Sequence, residues 1–426
     1  MKILLLAPHP FFSQRGTPLA ERMLIEVLCA EGHEVEVLTF PEGEDPGIAG
    51  CRVHRVRALP GTRGVRPGFS IKKLALDSVM LGRFLALLRR GRFDVVHAVE
   101  ESAFMARIGK ALFGVPYVYD MDSGLAQQMV DRFPALARVR RLLDACERVA
   151  VRGSCGTLAV CRSLEDQARA WHPEGLVARL EDPSLLGVEL AGCAVRTFEH
   201  PTDRSDRSDP SDVHGALGAP YGDPARLPLV LYVGNLQPYQ GIDLLLAAFA
   251  RTAREIPEAR LCIVGGDEGS IERYRRLAGD GRVWFAGPRP VSELGACLRQ
   301  ATVLVSPRIQ GTNTPMKLYS YLDSGRPVLA TRLPTHTQVL DDEVALLVEP
   351  EPEAMGRGLA RLLRDEVLRE RLSANARRLA QRELTPEAFR RKLLGFYRAV
   401  AAKIGTIGDL NDGQTAGLEA RRPGLG

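Results

Sequence analysis

The residues best placed to do chemistry lie between Ser306 and Gly325. A strand ending Val303-Leu304-Val305-Ser306 runs there into Pro307-Arg308-Ile309-Gln310-Gly311-Thr312-Asn313-Thr314-Pro315-Met316-Lys317. Thr314 reads as an N-cap and Pro315 as a first helical residue, so a helix is expected to start at a strand's carboxyl end. Free backbone N–H groups and the helix dipole make such a point an anion site, suited to a pyrophosphate. Lys317 is the informative residue. A lysine in a first helical turn opposes the dipole, and it makes sense when an anion sits there too, with Arg308 approaching from the preceding loop. Taken alone it also fits a surface lysine on an ordinary helix. The hydroxyl-rich loop that carries Thr312, Asn313 and Thr314 favours the anion.

Two further strand-to-helix turns have the same character. Gly234-Asn235-Leu236-Gln237-Pro238-Tyr239-Gln240-Gly241 follows an apolar strand, and Gly265-Gly266-Asp267 follows Cys262-Ile263-Val264. Glycines there let backbone approach a phosphate closely, although a plain tight turn looks the same. In the first half, Gln14-Arg15-Gly16-Thr17 sits between strand and helix without a Gly-x-Gly-x-x-Gly fingerprint. His97 and Asp122 each follow a strand and project from its end. His97 reads equally as a packing residue or a catalyst. Asp120 and Asp122 lack the further ligands a metal site needs. Glu100 and Glu101 read as a solvated helix start.

The elements that must position these residues alternate along the chain. Ile3–Ala7 is a continuous apolar run, as a parallel strand covered on both faces should be. Further strands are expected at Val35–Thr39, Arg52–Val56, Asp94–Ala98, Tyr117–Tyr119 and Gly156–Val160, separated by helices, the first of them capped by Thr17-Pro18. A second set is expected at Leu229–Val233, Arg260–Val264, Val283–Phe285, Val303–Ser306, Val328–Ala330 and Ala345–Val348. This is an α/β chain with two Rossmann-like doubly wound domains facing a central cleft. The expected domains cover residues 1–186 and 228–385. Between them, 187–227 reads as a linker or insertion, with an apolar-free stretch from Thr202 to Asp212. A helix over 386–402 follows the second sheet, and 403–426 is expected to be a disordered tail.

Composition narrows the class. The chain has 426 residues, 45% hydrophobic and 26% charged, with a formal net charge of +5. That suits a soluble globular protein of two domains. The opening apolar run is too short for a signal peptide, and no stretch reaches the ~18 apolar residues of a membrane span. Eight scattered cysteines without a Cys-x-x-Cys pair fit a reducing cytoplasm and no zinc site. Between Arg63 and Arg92 the basic residues are Arg63, Arg66, Lys72, Lys73, Arg83, Arg89, Arg90 and Arg92, against Asp77 alone. The stretch Ile71–Arg90 reads either as a core-packed helix with a solvated basic face or as a face resting on an anionic membrane. Nucleic acid is not expected as a partner, because the patch lacks interleaved aromatics and any nucleic-acid module.

In order and spacing the sequence resembles the family-4 glycosyltransferases of the GT-B fold, from Met1 to about Ala402. The resemblance rests on the opening strand with Gly16 and on Glu31-Gly-His-Glu-Val-Glu-Val37 and Phe93-Asp-Val-Val-His-Ala98. In the second half it rests on Tyr232-Val-Gly-Asn235 with Gly241, Val264-Gly-Gly266, Phe285-Ala-Gly287, Ser306-Pro307 and Lys317-Leu-Tyr-Ser-Tyr-Leu-Asp-Ser-Gly-Arg-Pro-Val328. It implies retaining transfer of a sugar from a nucleoside diphosphate without a metal or other cofactor. The donor is expected on the second domain, the acceptor on the first, and the helix 386–402 crosses back to the first. A glycan or lipid-linked acceptor and a cytoplasmic location, peripheral at the inner membrane face, follow as expectations.

The departures are specific. The family's two donor-loop glutamates fall at Thr312 and Ser320. Its diphosphate-binding arginine and lysine fall at Asn235 and Gln240, and a first-domain histidine falls at Asp122. Charge for the diphosphate is therefore expected from Lys317, Arg308 and backbone dipoles, with Asn235 and Gln240 donating neutral hydrogen bonds. Rival readings are a catalytically silent nucleotide-sugar-binding subunit and a GT-B epimerase.

Overall fold

The computed structural model describes residues 1–12, 16–62, 70–186, 227–279 and 281–419. Gln14, Arg15, Arg63, Arg66 and nearly all of the expected linker, residues 187–226, lie outside the described residues. The chain divides into two compact units, Met1–Glu181 with Phe389–Gly426, and Asp182–Ala388.

The first unit begins β1 (Lys2–Ala7), α1 (Gly16–Ala30), β2 (Glu34–Thr39) and β3 (Cys51–Arg55). It continues α2 (Ile71–Arg90), β4 (Val95–Val99), α3 (Ser102–Phe113) and β5 (Tyr117–Met121). Then come α4 (Leu125–Arg132), α5 (Arg140–Gly153), β6 (Gly156–Ala159), α6 (Arg162–Trp171) and β7 (Val177–Arg179). Its seven strands pair in the order β3-β2-β1-β4-β5-β6-β7, all parallel. Strand β7 has no counterpart in the sequence reading. It is three residues long at a sheet edge, and only Val177 in it is buried, so it carries no apolar run to recognise.

Alternation along β1 sends Leu4 and Leu6 into a core with Leu76, Met80 and Phe84 of α2, Ala103 and Ala106 of α3, and Val151 of α5. One helical layer, α2, α3 and α5, thus covers that face. Helix α2 starts where Ser70 Oγ accepts the Lys73 N–H at 3.2 Å. Its buried stripe is Leu76, Met80, Phe84 and Leu88, while Lys72, Arg83, Arg89 and Arg90 stay exposed.

The second unit runs β8 (Leu229–Val233), α7 (Ile242–Glu255), β9 (Arg260–Val264), α8 (Glu268–Ala278) and β10 (Val283–Gly287). It continues α9 (Leu294–Gln300), β11 (Val303–Ser306), α10 (Lys317–Asp323), β12 (Val328–Thr331) and α11 (Pro334–Thr337). It closes with β13 (Leu346–Val348), α12 (Pro352–Arg364) and α13 (Glu366–Glu383). The strand order is β10-β9-β8-β11-β12-β13. Val230 and Tyr232 pack with α7 and α12 on one face, and Leu229 and Leu231 with α10 on the other. Helix α14 (Pro386–Glu419) joins the first unit from Phe389. The tail expected from residue 403 is therefore a correction: the described backbone stays helical to Glu419, because extending a formed helix costs far less than nucleating one.

The helix expected at Pro315 begins instead at Lys317, with Met316 at the cap position and no side-chain cap. Thr314 is not a cap. The residue before it, Asn313, is held by the loop, its carbonyl accepting from Arg308 Nη1 at 3.1 Å and from Thr335 Oγ1 at 2.7 Å. A buried histidine fixes the strand ends below. His336 Nδ1 donates to Thr331 O at 2.8 Å, so Nε2 accepts the Ser306 hydroxyl at 2.9 Å. Thr331 Oγ1 donates to the Arg308 carbonyl at 2.5 Å.

Two stability measurements test this account. Gly265 has φ +107°, and a Cβ there would lie 2.2 Å from Gly234 O, whereas Gly279, φ +55°, has open space around it. Gly265→Ala should cost on the order of 3 kcal/mol and Gly279→Ala roughly 1 kcal/mol, read as shifts in the urea midpoint at constant slope. Burial, helped by the nearby charges of Lys317 and Arg308, pushes His336 from 6.5 down to about 4. Between those values the unfolded chain binds the proton and the fold does not, so stability is fully present above 6.5 and falls as pH drops towards 4. The loss should be on the order of 3 kcal/mol, and His336→Gln should flatten that slope in urea titrations across the same range.

Candidate functional site

In the second sheet the chain direction across the sheet reverses between β8 and β11, the switch point where open α/β sheets bind ligands. The loops following these strands hold the candidate residues. A Cβ on Gly241 would lie 2.1 Å from Pro307 O, so only glycine lets the two loops approach this closely. Tyr232 lies beneath and donates its hydroxyl to Asn235 O at 2.6 Å.

Lys317 points into this cluster. Its Nζ lies 3.9 Å from the centroid of the Tyr232 ring and donates to Gln240 Oε1 at 3.1 Å. It forms no ion pair with any described residue. Gly234 keeps space beside it, since a Cβ there would be 3.3 Å from Nζ. Although the residue keeps some surface, its ammonium lies deep. Burial first, and then the Arg308 charge, hold its pKa well below the usual lysine value. Arg308 is buried and also lacks a carboxylate partner among the described residues. Its guanidinium sits 5.1 Å from the Tyr239 ring centroid and donates to Gln310 O at 2.8 Å and to Asn313 O and Oδ1 at 3.1 and 3.0 Å. Most of its donors thus shape its own loop, and what it offers a ligand is mainly charge.

The remaining second-unit residues divide. Gly265 and Gly266 have φ values of +107° and +87° and lie at the end of β9, next to β8. Asn235 Oδ1 accepts the Gln237 N–H at 3.2 Å, and its Nδ2 donates to the Tyr239 hydroxyl at 3.4 Å, so its amide braces its own turn. Gln240 presents its oxygen to Lys317 and is a neighbour of the cation. Thr314 is buried, and its hydroxyl has no hydrogen-bond partner among the described residues. Thr312 is exposed. Ser320 is buried and engaged elsewhere: its Oγ accepts the Leu185 N–H at 3.0 Å. Its side chain lies on the inner face of α10, where it serves packing.

In the first unit, β1 pairs with β4 at the corresponding reversal. Gly16 opens α1 with open space around it. Asp122 is half-buried just beyond β5. His97 is fully buried. It pairs in register with Leu5 and so points away from the α2 layer, towards α14. Its Nδ1 lies 2.8 Å from the Tyr397 hydroxyl and its Nε2 3.0 Å from Asp120 Oδ2. With both nitrogens engaged and no exposed surface, the geometry supports the packing and hydrogen-bonding reading of His97.

Sequence reasoning passed over His9 and Glu21 and placed Lys73, Glu100 and Glu101 on solvated faces. His9 Nε2 lies 2.8 Å from Oε1 of the buried Glu21. Burial pushes the Glu21 carboxyl up. For His9 burial is the largest single cause and works downward, but the charge and hydrogen bond of Glu21, the Glu100 charge and the Pro10 carbonyl together raise it, so the pair holds a shared proton. The signal was available in Pro8-His9-Pro10 directly after β1. Lys73, expected on a basic face, turns inward, donating to Pro8 O at 2.7 Å and pairing with Glu101. Glu100 accepts from Ser123 Oγ at 2.9 Å and is the one described non-glycine residue with positive φ, at 50°. Both glutamates are thus committed partners, not a solvated helix start.

Comparison with known proteins agrees with this architecture. Residues 16–179 match the glycosyl transferase 4-like domain and residues 227–365 the glycosyl transferases group 1 family. A D-inositol 3-phosphate glycosyltransferase of Acidothermus cellulolyticus is 36% identical over 413 residues, covering 89% of this chain and 84% of that one. A phosphatidyl-myo-inositol mannosyltransferase of Mycobacterium leprae is 27% identical over 386 residues, covering 88% and 90%. Among solved structures, a sucrose-phosphate synthase from Thermosynechococcus elongatus superposes with a TM-score of 0.71 at 22% identity, covering 94% of this chain and 99% of that one, a likeness of fold. The chain belongs to the family-4-like glycosyltransferases of the GT-B fold.

Proposed function

We propose that this glycosyltransferase moves a hexosyl unit from a nucleoside-diphosphate sugar to a glycan or lipid-linked acceptor, with retention at the anomeric carbon. The observation that carries the reading is the pair of inward-held cations, Lys317 and Arg308, with no carboxylate partner among the described residues. An anion in the glycine-framed loops at the β8/β11 switch point would complete them. Their two positive charges supply the neutralisation that a leaving diphosphate needs, and no metal ion or other cofactor is required in this reading. Lys317 Nζ stabilises the developing charge on the leaving oxygen. Retention follows the family to which the chain belongs. Asp122, in the first unit, is assigned to the acceptor side. The lipid part of a relative's printed name supports a lipid-linked acceptor. Synthesis of cell-surface polysaccharide or glycolipid, by a cytoplasmic protein peripheral at the inner membrane face, completes the proposal. No helix among the described residues is long and apolar enough to cross a membrane.

A second reading, a catalytically silent nucleotide-sugar-binding subunit, has one observation in its favour. Ser320, at a position where the family carries glutamate, is buried and bonded to Leu185 N.

The deciding assay is release of nucleoside diphosphate from a panel of nucleotide sugars, with and without lipid acceptors. Lys317→Ala should lower kcat/KM by about 10²-fold or more, as loss of one preorganised donor does, while a chelator leaves turnover unchanged. Tight donor binding without turnover in the wild type would favour the silent subunit. Proton linkage gives an independent check. The pKa of Lys317 is depressed in the free protein, and a bound diphosphate favours its charged form. Binding should therefore take up a proton, and affinity should weaken as pH rises through the depressed value. Calorimetry in two buffers of different ionisation enthalpy should show the uptake in wild type and not in Lys317→Ala.

A further inference from the structure

Large exposed apolar side chains gather on one part of the first unit. On α3, Phe104, Ile108 and Leu112 are exposed, the last by 63%, and their spacing of four puts them on one stripe. On α5, Leu142 is exposed by 64% and Val149 is also exposed; seven apart, they share a face. The two helices pack against each other, and Lys110 Nζ on α3 donates to Gly153 O at the end of α5 at 2.8 Å. Both lie in the layer that α2 completes: a Cβ on Gly109 would meet Phe84 at 2.6 Å.

The exposed charge on these two helices is predominantly positive. From Ser102 to Gly114 there is no acidic residue. From Phe133 to Ser154 there are two, Asp144 and Glu147. Asp144 lies 3.7 Å from Arg140, and Glu147 is buried, accepting from Leu125 N at 3.2 Å. Arg107, Lys110, Arg138, Arg141 and Arg152 are exposed. Exposed Arg83, Arg89 and Arg90 of α2 extend the same layer.

We propose that the α3–α5 face, flanked by the end of α2, is the surface on which the protein docks to an anionic lipid bilayer. Leu112 and Leu142 enter the headgroup boundary, and the arginines contact lipid phosphates. A soluble face needs no apolar stripe, and a purely apolar protein interface needs no unbalanced cations. An amphipathic helical face with both is what an anionic bilayer selects. The inference rests on the lipid-linked acceptor reading and names its surface. It also moves the apolar part of the membrane face from α2, whose stripe is spent on the core, to α3 and α5.

The test is flotation of the full chain with vesicles of phosphatidylcholine alone or with phosphatidylglycerol, at low and high salt. Wild type should float with the anionic vesicles, less at high salt but measurably. Leu112→Ser with Leu142→Ser should lower partitioning at least tenfold, and Arg138→Ser with Arg141→Ser should remove the preference for anionic lipid. All four positions are exposed, so thermal melts should match wild type. Wild-type binding that ignores phosphatidylglycerol, or a serine double variant that floats like wild type, overturns the proposal. So does a wild-type dimer in sedimentation that Leu112→Ser with Leu142→Ser makes monomeric, which would assign the face to self-association. Donor turnover on a water-soluble acceptor separates the two readings. Flotation retained with turnover absent counts against the proposed reaction alone; turnover retained with flotation absent counts against the surface alone.

Discussion

An ammonium group held deep in the protein, without a counter-ion among the described residues, is the constraint around which the second unit is arranged. Removing the Lys317 charge from water costs several kcal/mol. The Tyr232 face returns about 0.5–2 kcal/mol, and a hydrogen bond from a charged donor to the Gln240 carboxamide about 1.5–3 kcal/mol. The balance is short, and the depressed lysine pKa expresses the same shortfall. Around it, Gly234 leaves room beside Nζ, Gly241 lets the β8 and β11 loops touch, and Arg308 braces its loop while adding a second positive charge nearby. A native fold retains such a deficit where a ligand makes it good.

The first unit handles charge in the opposite way. His9 is matched by Glu21, Lys73 by Glu101 and Asp77, and His97 by Asp120 and Tyr397. These pairs sit at the carboxyl ends of β1, β4 and β5, and the strained backbone of Glu100 lies among them. Backbone strain of about 1–3 kcal/mol survives where surroundings over-determine it, and the Glu100–Ser123 and Lys73–Glu101 contacts do that here. This unit presents a preorganised set of mostly satisfied polar groups at its strand ends.

Much of the framework was legible in sequence because parallel strands buried on both faces are continuous apolar runs. Ile3–Ala7 and Leu229–Val233 are examples, and the alternation with helices implied two doubly wound sheets. Strand β7 was not legible, being three residues at an edge. Helix α10 was misplaced by two residues because Thr314 and Pro315 satisfy the local rule for a helix start, while Arg308 and Thr335, near in space, hold Asn313 in the loop. The site was half legible. Lys317 stood out because it opposes a dipole, a local signal. Tyr232 and His336 reach the same loop from positions distant in sequence, and spacing carries no trace of their contacts, while Gln240, expected as a donor to the diphosphate, accepts from Lys317. Ser320 shows the converse: motif position suggested a donor-loop role, and burial with a committed hydrogen bond gives it to the core. For His97, which reads in sequence equally as a packing residue or a catalyst, burial and two engaged nitrogens favour packing.

Whether a charge finds its partner inside the protein therefore separates structure from function here better than residue type does. Lys73 and Lys317 are both lysines near a helix start at a strand's carboxyl end, and both have depressed pKa values with burial as the largest cause. Lys73 has two carboxylates and a carbonyl, so its role closes within the fold. Lys317 has a ring and a carboxamide, so its role opens outward. The same distinction holds at the surface: Arg140 is paired with Asp144, while Arg138 and Arg141 beside it make no ion pair among the described residues. Sites on this chain are located by where the pairing stops.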